Sequence, residues 1–177
     1  MELFEVIRPR EINIAVRRLA TEINRDYKGM EPVVVGVLKG SFIFLSDLVR
    51  HLKMPVEVDF IRAASYGSGM KSSEEVVITR DMELGVAGRD VIVIEDIVDT
   101  GHTLRAILRC IDDKKPRSVR VCTLLDKPSR RVAECSLDYV GIEVEDRFLV
   151  GYGLDCAEKY RNLKGIYEAV ETGTSGT

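Results

Sequence analysis

Apolar positions along this chain fall into two rhythms. Residues 33–37 and 91–94 are unbroken runs rich in β-branched side chains, the pattern of central parallel strands buried on both faces. Residues 56–62, 119–125 and 139–142 read as further strands, 76–79 as an extended segment and Leu149-Val150 as a short one. Elsewhere the period lengthens. Ile12, Val16, Leu19 and Ile23 recur at helical spacing behind Pro9, which suits a first turn, and Gly29 marks a stop. An amphipathic stretch runs on from Ser41 through Leu52, with Arg50, His51 and Lys53 where a helix C-terminus favours positive charge. Leu104, Ile107, Leu108 and Ile111 mark one face of another helix. Strands alternating with helices predict an α/β fold: one domain over residues 1–170 with a mainly parallel central sheet flanked by helices. Residues 171–177 read as a disordered tail, and no clear final strand precedes them.

In such sheets ligands bind at the carboxyl ends of the strands. Three segments place unusual polar residues just there: Lys39-Gly40-Ser41, residues 95–103, and Asp126-Lys127. The middle one is the most informative. The buried run 91–94 stops in Glu95 and Asp96, and Asp99, Thr100, Gly101, His102 and Thr103 follow before a helical pattern begins. Paired acids without partners are costly at the end of a buried strand. Backbone N–H groups and hydroxyls suit an anion such as phosphate, while the acids suit hydroxyl groups or a metal ion. Gly101 permits positive φ or close backbone approach, and the hydroxyls of Thr100 and Thr103 can cap the helix or donate to phosphate oxygens. A phosphorylated sugar needs both kinds of group. The loop alone is also compatible with an N-capped helix that binds nothing. It matches neither GxxxxGK[ST] nor GxGxxG.

Composition narrows the classes further. A chain of 177 residues, 45% hydrophobic and 31% charged, is an ordinary globular domain with room for a core. With 26 basic and 29 acidic residues the formal net charge is −3, which gives no electrostatic reason for a broad nucleic-acid or membrane surface. No window approaches the roughly 20 apolar residues of a membrane span, and MELFEVIRPR lacks a signal-peptide pattern. The four cysteines, Cys110, Cys122, Cys135 and Cys156, form no CxxC pair and read as reduced thiols of a cytoplasmic protein.

The segment EDIVDTGHTL resembles the signature loop of the purine phosphoribosyltransferases, which use phosphoribosyl pyrophosphate (PRPP). VGVLKGSFIF, SYGSG, LLDKPSRR and VGYGLDCAEKYRNL follow the family order, so the resemblance covers roughly residues 33–163. The signature loop alone specifies a PRPP-binding fold. LKGS, the lysine of DKPSRR and the segment DRFLVGYGLD point to an enzyme for 6-oxopurines. The resemblance implies a type I phosphoribosyltransferase fold with a small hood built from terminal segments.

The resemblance also implies roles. Glu95 and Asp96 would accept hydrogen bonds from the ribose hydroxyls near a magnesium ion, and Asp99 would be general base or proton relay near purine N7. Thr100, Gly101, His102 and Thr103 would cradle the 5′-phosphate, while Leu38, Lys39, Gly40 and Arg161 would hold pyrophosphate, the first two often through a cis peptide. Lys127 would donate to the 6-oxo group, Phe148 would stack on the purine and Leu149 would read its edge. Asp155 would help hold a second magnesium ion. Residues 65–73, polar and glycine-rich, resemble a lid, with Ser65 and Tyr66 approaching pyrophosphate. His102 reads as an exposed loop residue whose backbone binds; the alternative is a protonated imidazole assisting the 5′-phosphate at lower pH.

The implied activity is purine salvage with Mg²⁺ as cofactor: PRPP and hypoxanthine, or guanine, would give IMP or GMP and pyrophosphate. The implied protein is a cytoplasmic homodimer or homotetramer with no nucleic-acid or membrane partner. One rival is a transferase for xanthine or another base, although a lysine donor suits a 6-oxo group better than the 6-amino group of adenine. The other is a PRPP-sensing or RNA-binding regulator on the same fold, which would need a basic face.

Overall fold

In the computed structural model, which describes residues 1–66 and 75–171, the buried runs are neighbouring strands of one sheet. The chain begins with β1 (Glu2–Ile7), α1 (Pro9–Asp26), β2 (Val33–Leu38) and α2 (Phe42–Val49). It continues with β3 (Glu57–Tyr66), β4 (Glu75–Arg80), β5 (Asp90–Val98), α3 (His102–Asp112) and β6 (Ser118–Asp126). The last described elements are β7 (Tyr139–Glu143), β8 (Leu149–Val150) and β9 (Ile166–Val170). The main sheet has the order β4-β3-β2-β5-β6-β7. All its pairings are parallel except that of the edge strand β4 with β3.

Helices cover both faces, which is why the central strands are apolar throughout rather than alternating. On one face α1 and α2 press Ile12, Val16, Leu19, Ile23, Phe44 and Leu48 against Val34, Ile92, Ile94 and Leu124. On the other, Leu104, Ile107 and Ile111 of α3 meet Val33, Val35, Val91, Val93 and Val121. Successive residues of β2 and β5 thus serve opposite layers.

A second, three-stranded antiparallel sheet, β1-β9-β8, forms the hood and draws on both ends of the described chain. Residues 166–170 carry no clear strand signal, yet they form β9, whose partner β1 lies at the opposite end of the sequence. A pairing that remote leaves no local trace, and Tyr167 and Glu168 keep the strand only partly buried.

Three further boundaries differ from the sequence reading. β5 does not stop before its acids: parallel pairing of Glu95 with Thr123 and Ile97 with Leu125 carries the ladder to Val98. α2 ends at Val49 rather than Leu52, because the His51 and Leu52 N–H groups donate to Leu48 and Val49 in tighter turns. Ser65 and Tyr66 close β3 instead of opening a loop; the rest of the expected lid, and residues 172–177 of the expected tail, lie outside the described residues.

One buried acid ties the β3 layer to the approach to β5. The Asp59 carboxylate accepts hydrogen bonds from the backbone N–H groups of Phe60 at 2.7 Å and of Glu83 and Leu84 at 2.8 Å each. Asp59→Ala leaves these donors unmet and is expected to lower stability by about 1–3 kcal/mol. The check is a fall in the urea midpoint at unchanged slope.

Candidate functional site

The pairing of Gly36 with Ile94, and of Ile94 with Cys122, sets the carboxyl ends of β2, β5 and β6 side by side. Lys39-Gly40, the loop from Asp99 to Gly101, and Lys127 leave the sheet there. Lys39, Gly40, Asp96, Asp99, Lys127, Phe148, Leu149, Asp155 and Arg161 line one cleft of about 330 Å³. Glu95, Asp99, Thr100, Gly101 and Thr103 line an adjoining niche of about 100 Å³. Leu38 and His102 line neither, and nothing is described of the Ser65 and Tyr66 side chains.

At the end of β2 the Leu38–Lys39 peptide is cis. The buried Ser41 hydroxyl donates to the Val37 carbonyl at 2.7 Å, which holds the turn into α2. Gly40 is required by contact: a Cβ there would lie 1.6 Å from Asp96 Oδ2. From the other side, a Cβ on Gly153 would lie 2.0 Å from the Gly40 carbonyl, so the segment after β8 is pressed onto the same glycine.

That segment brings its own charges. Arg161 donates to the Gly153 carbonyl at 2.7 Å and pairs with Asp155 at 2.8 Å and Glu158 at 3.3 Å. Lys39 Nζ reaches the same Glu158 carboxylate at 2.9 Å. Hydrogen bonds from Lys39 and Arg161 hold Glu158 below the usual carboxylate range. Asp155 is also engaged, through Arg161 and the Glu158 N–H at 2.8 Å.

The niche sits at the start of α3. Gly101 is its N-cap at φ 85°, and a Cβ there would meet the Ala133 carbonyl at 2.9 Å and Cys135 Sγ at 3.1 Å. Of the two uses open to the Thr100 and Thr103 hydroxyls, capping is not the one seen: the cap has no side-chain hydrogen bond. Gly101, Thr103 and Leu104 of this helix start line the niche, and among the described residues no side chain accepts at the cap; a free helix N-terminus suits an anion.

On the far side Lys127, only 6% exposed, donates to the Arg147 carbonyl at 2.7 Å. Its ammonium stands 3.6 Å from Asp99 and 3.9 Å from Asp146. Arg130 Nε is 3.2 Å from the other Asp99 oxygen, and Arg130 also reaches Asp146 at 3.7 Å. Phe148 is 54% exposed, beside buried Leu149.

Glu95 and Asp96 are the acids whose charge burial opposes. Burial, reinforced by neighbouring Asp96, drives the Glu95 carboxyl well above its usual range. Burial also pushes Asp96 up to about 6, against backbone hydrogen bonds and Arg161, which favour its charged form. Such carboxyls gain from a partner that brings positive charge or hydroxyl donors.

Sequence reasoning missed Glu158, Arg130 and Asp146. The spacing of Arg130 behind Lys127 in DKPSRR, with Pro128 starting a turn, was the available signal; Glu158 and Asp146 had none. A larger groove of about 770 Å³ lies at the other end of the sheet. Arg25, in the last turn of α1, lines it and complements that helix dipole, and Lys28 and Lys53 line it beyond the helix ends.

A parallel sheet whose carboxyl edge joins a glycine-turned helix start, buried paired acids and an adjoining cleft of mixed charge is the architecture of a phosphoribosyltransferase. The chain belongs to that family: the phosphoribosyl transferase domain model matches residues 6–157. The hypoxanthine phosphoribosyltransferase of Salmonella typhimurium is 43% identical over 162 residues, covering 90% of this chain and 91% of the relative. The hypoxanthine-guanine phosphoribosyltransferase of Bacillus subtilis is 45% identical over 161 residues, covering 91% and 89%. A crystal structure of a hypoxanthine-guanine phosphoribosyltransferase from Bacillus anthracis superposes with a TM-score of 0.91 at 45% identity, covering 96% of this chain and all of that one.

Two outcomes follow from the geometry. Gly40→Ala must displace Asp96 or the Gly40 backbone, and is expected to weaken PRPP binding at least tenfold in titration calorimetry while the fold persists. The second concerns pH. Asp96 ionises near 4 when unfolded but at about 6 in the fold. In the substrate- and cation-free protein the contribution of Asp96 to stability is therefore lost as pH rises from about 4 to about 6. Asp96→Asn removes that loss. It is expected to be more stable than the parent at pH 7.5, by on the order of 1–3 kcal/mol, with the gain vanishing towards pH 4. Urea titrations across that range check it.

Proposed function

We propose that this chain transfers the 5-phosphoribosyl group of PRPP to N9 of hypoxanthine, and of guanine, giving IMP or GMP and pyrophosphate. The observation that carries the reading is the meeting of Lys127, Asp99 and exposed Phe148 in one cleft beside the anion niche. A lysine donor and a stacking ring suit a flat base with a 6-oxo acceptor. Leu149 reads the edge of that base.

In this reading the N–H groups at the start of α3, with Thr100, Gly101, His102 and Thr103, take the 5′-phosphate. Glu95 and Asp96 accept from the ribose hydroxyls, which offsets the burial of their charge. Leu38, Lys39 and Gly40, with Arg161, receive pyrophosphate, whose oxygens replace the Glu158 carboxylate on the two cations. Ser65 and Tyr66, at the end of β3, belong to the pyrophosphate side of this reading. The N9 lone pair attacks C1′ of the ribose while the C1′–O bond breaks, and its electron pair leaves with pyrophosphate. The N7 proton passes to Asp99. Positioning and charge neutralisation supply most of the acceleration.

The family is consistent with a metal-dependent reaction, and Mg²⁺ is the ion this chemistry calls for. Asp96, Glu95 and Asp155 are hard oxygen donors of the right kind. Among the described residues no three His, Cys, Asp or Glu side chains are grouped to hold a metal unaided. That fits an ion carried largely by substrate oxygens, which would neutralise charge on the leaving group. The reading includes a homodimer or homotetramer in the cytoplasm, without nucleic-acid or membrane partners. A net charge of −3 gives no electrostatic reason for a broad nucleic-acid or membrane surface.

The deciding experiment is pyrophosphate release from PRPP with magnesium, offering hypoxanthine, guanine, xanthine, adenine and uracil in turn. Release with hypoxanthine and guanine is expected; release with none of the bases despite PRPP binding would overturn the reading in favour of a PRPP-responsive regulator. Asp99→Asn is expected to lower kcat about 10²–10⁴-fold with the PRPP KM little changed.

A further inference from the structure

Two acids and two bases alternate at the side of the cleft: Asp99 and Lys127, which line it, and the more exposed Asp146 and Arg130 behind them. Among the described residues, Asp99 has just two charged partners, Lys127 on one oxygen and Arg130 Nε on the other. The two differ in what they are free to do. In the proposed reaction Lys127 turns its ammonium to the 6-oxo group of the base, so its hold on Asp99 lapses when a substrate arrives. Arg130 has no such second duty. Its Nε–H is fixed along the side chain by the planar guanidinium, and its backbone N–H is tied to the Lys127 carbonyl at 3.1 Å by the turn through Pro128. The neighbouring arginine is committed elsewhere: Arg131 pairs with Asp126 and lies against Cys135.

We propose that Arg130 is a positioning residue for the transfer step, holding the Asp99 carboxylate at the purine proton once Lys127 has moved to the base, with Asp146 steadying the guanidinium. The proposal rests on the reading of Asp99 as the proton acceptor. It adds to that reading a second cation that stays when the first leaves.

The test is a double-mutant cycle on the full chain, with hypoxanthine and PRPP as substrates. Arg130→Gln is expected to lower kcat about 10–100-fold, as a misplaced catalytic group does, with the PRPP KM within twofold of the parent. Arg130 is half exposed, so thermal unfolding is expected to change little. Asp146→Asn, which keeps the size but removes the charge, is expected to lower kcat severalfold in the same direction. In the Asp99→Asn background the effect of Arg130→Gln is expected to shrink below twofold, because the carboxylate it positions no longer works as a base. An unchanged kcat in Arg130→Gln, or losses that simply multiply in the double variant, would overturn the role of Arg130 and leave that of Asp99 standing. Full turnover by Asp99→Asn would overturn both.

Discussion

The parallel register of β2, β5 and β6 is the constraint on which the cleft depends. It is enforced by burial on two faces at once: a slip of one residue would turn Val34 and Ile92 towards α3 and Val33 and Val93 towards α1 and α2. Neither layer has room for that exchange. Held in this way, the three strands must end together, and their polar ends must converge. Gly40 and Gly101 then let backbone approach where any side chain would collide.

Charge is treated differently from shape. The free cleft is not a bare basic surface. Glu158 lies between Lys39 and Arg161, and Asp99 and Asp146 surround Lys127. In the proposed reaction, substrate oxygens take places that the chain's own carboxylates hold beforehand, so binding exchanges partners instead of creating charge pairs from nothing. The opposite holds on β5, where Glu95 and Asp96 are acids whose charge is penalised by burial. One site therefore carries cations already paired with carboxylates and acids whose charge burial disfavours.

How legible this was from sequence depended on the range of the interactions. The runs at 33–37 and 91–94 and the faces of α1 and α3 were readable because burial on a layer imposes its period locally. The positions of Lys39, Asp99, Gly101 and Lys127 were readable because sheet topology fixes where strands end. β9 was not, since its partner β1 lies across the length of the chain. The extension of β5 through Glu95 and Asp96 was hidden because acids argue against a buried strand until a ligand is supplied. Arg130, Asp146 and Glu158 sit on irregular segments, where a charged residue carries no periodic sign of the partner it will find. Arg131, the same residue type one position on from Arg130, pairs with Asp126 instead.

The hood has a consequence for how the protein comes into being on the ribosome. The strands of the main sheet, with α1, α2 and α3, are all synthesised before β8 and β9. A nascent chain can assemble its layered core while β1, made first, still waits for an edge to pair with. Gly153 and Arg161, which close the cleft over Gly40, arrive only with the stretch that leads into that last strand. Ribosomes that stall late would therefore release products with a sound core and an unfinished pocket, and with an unpaired N-terminal strand exposed to other chains.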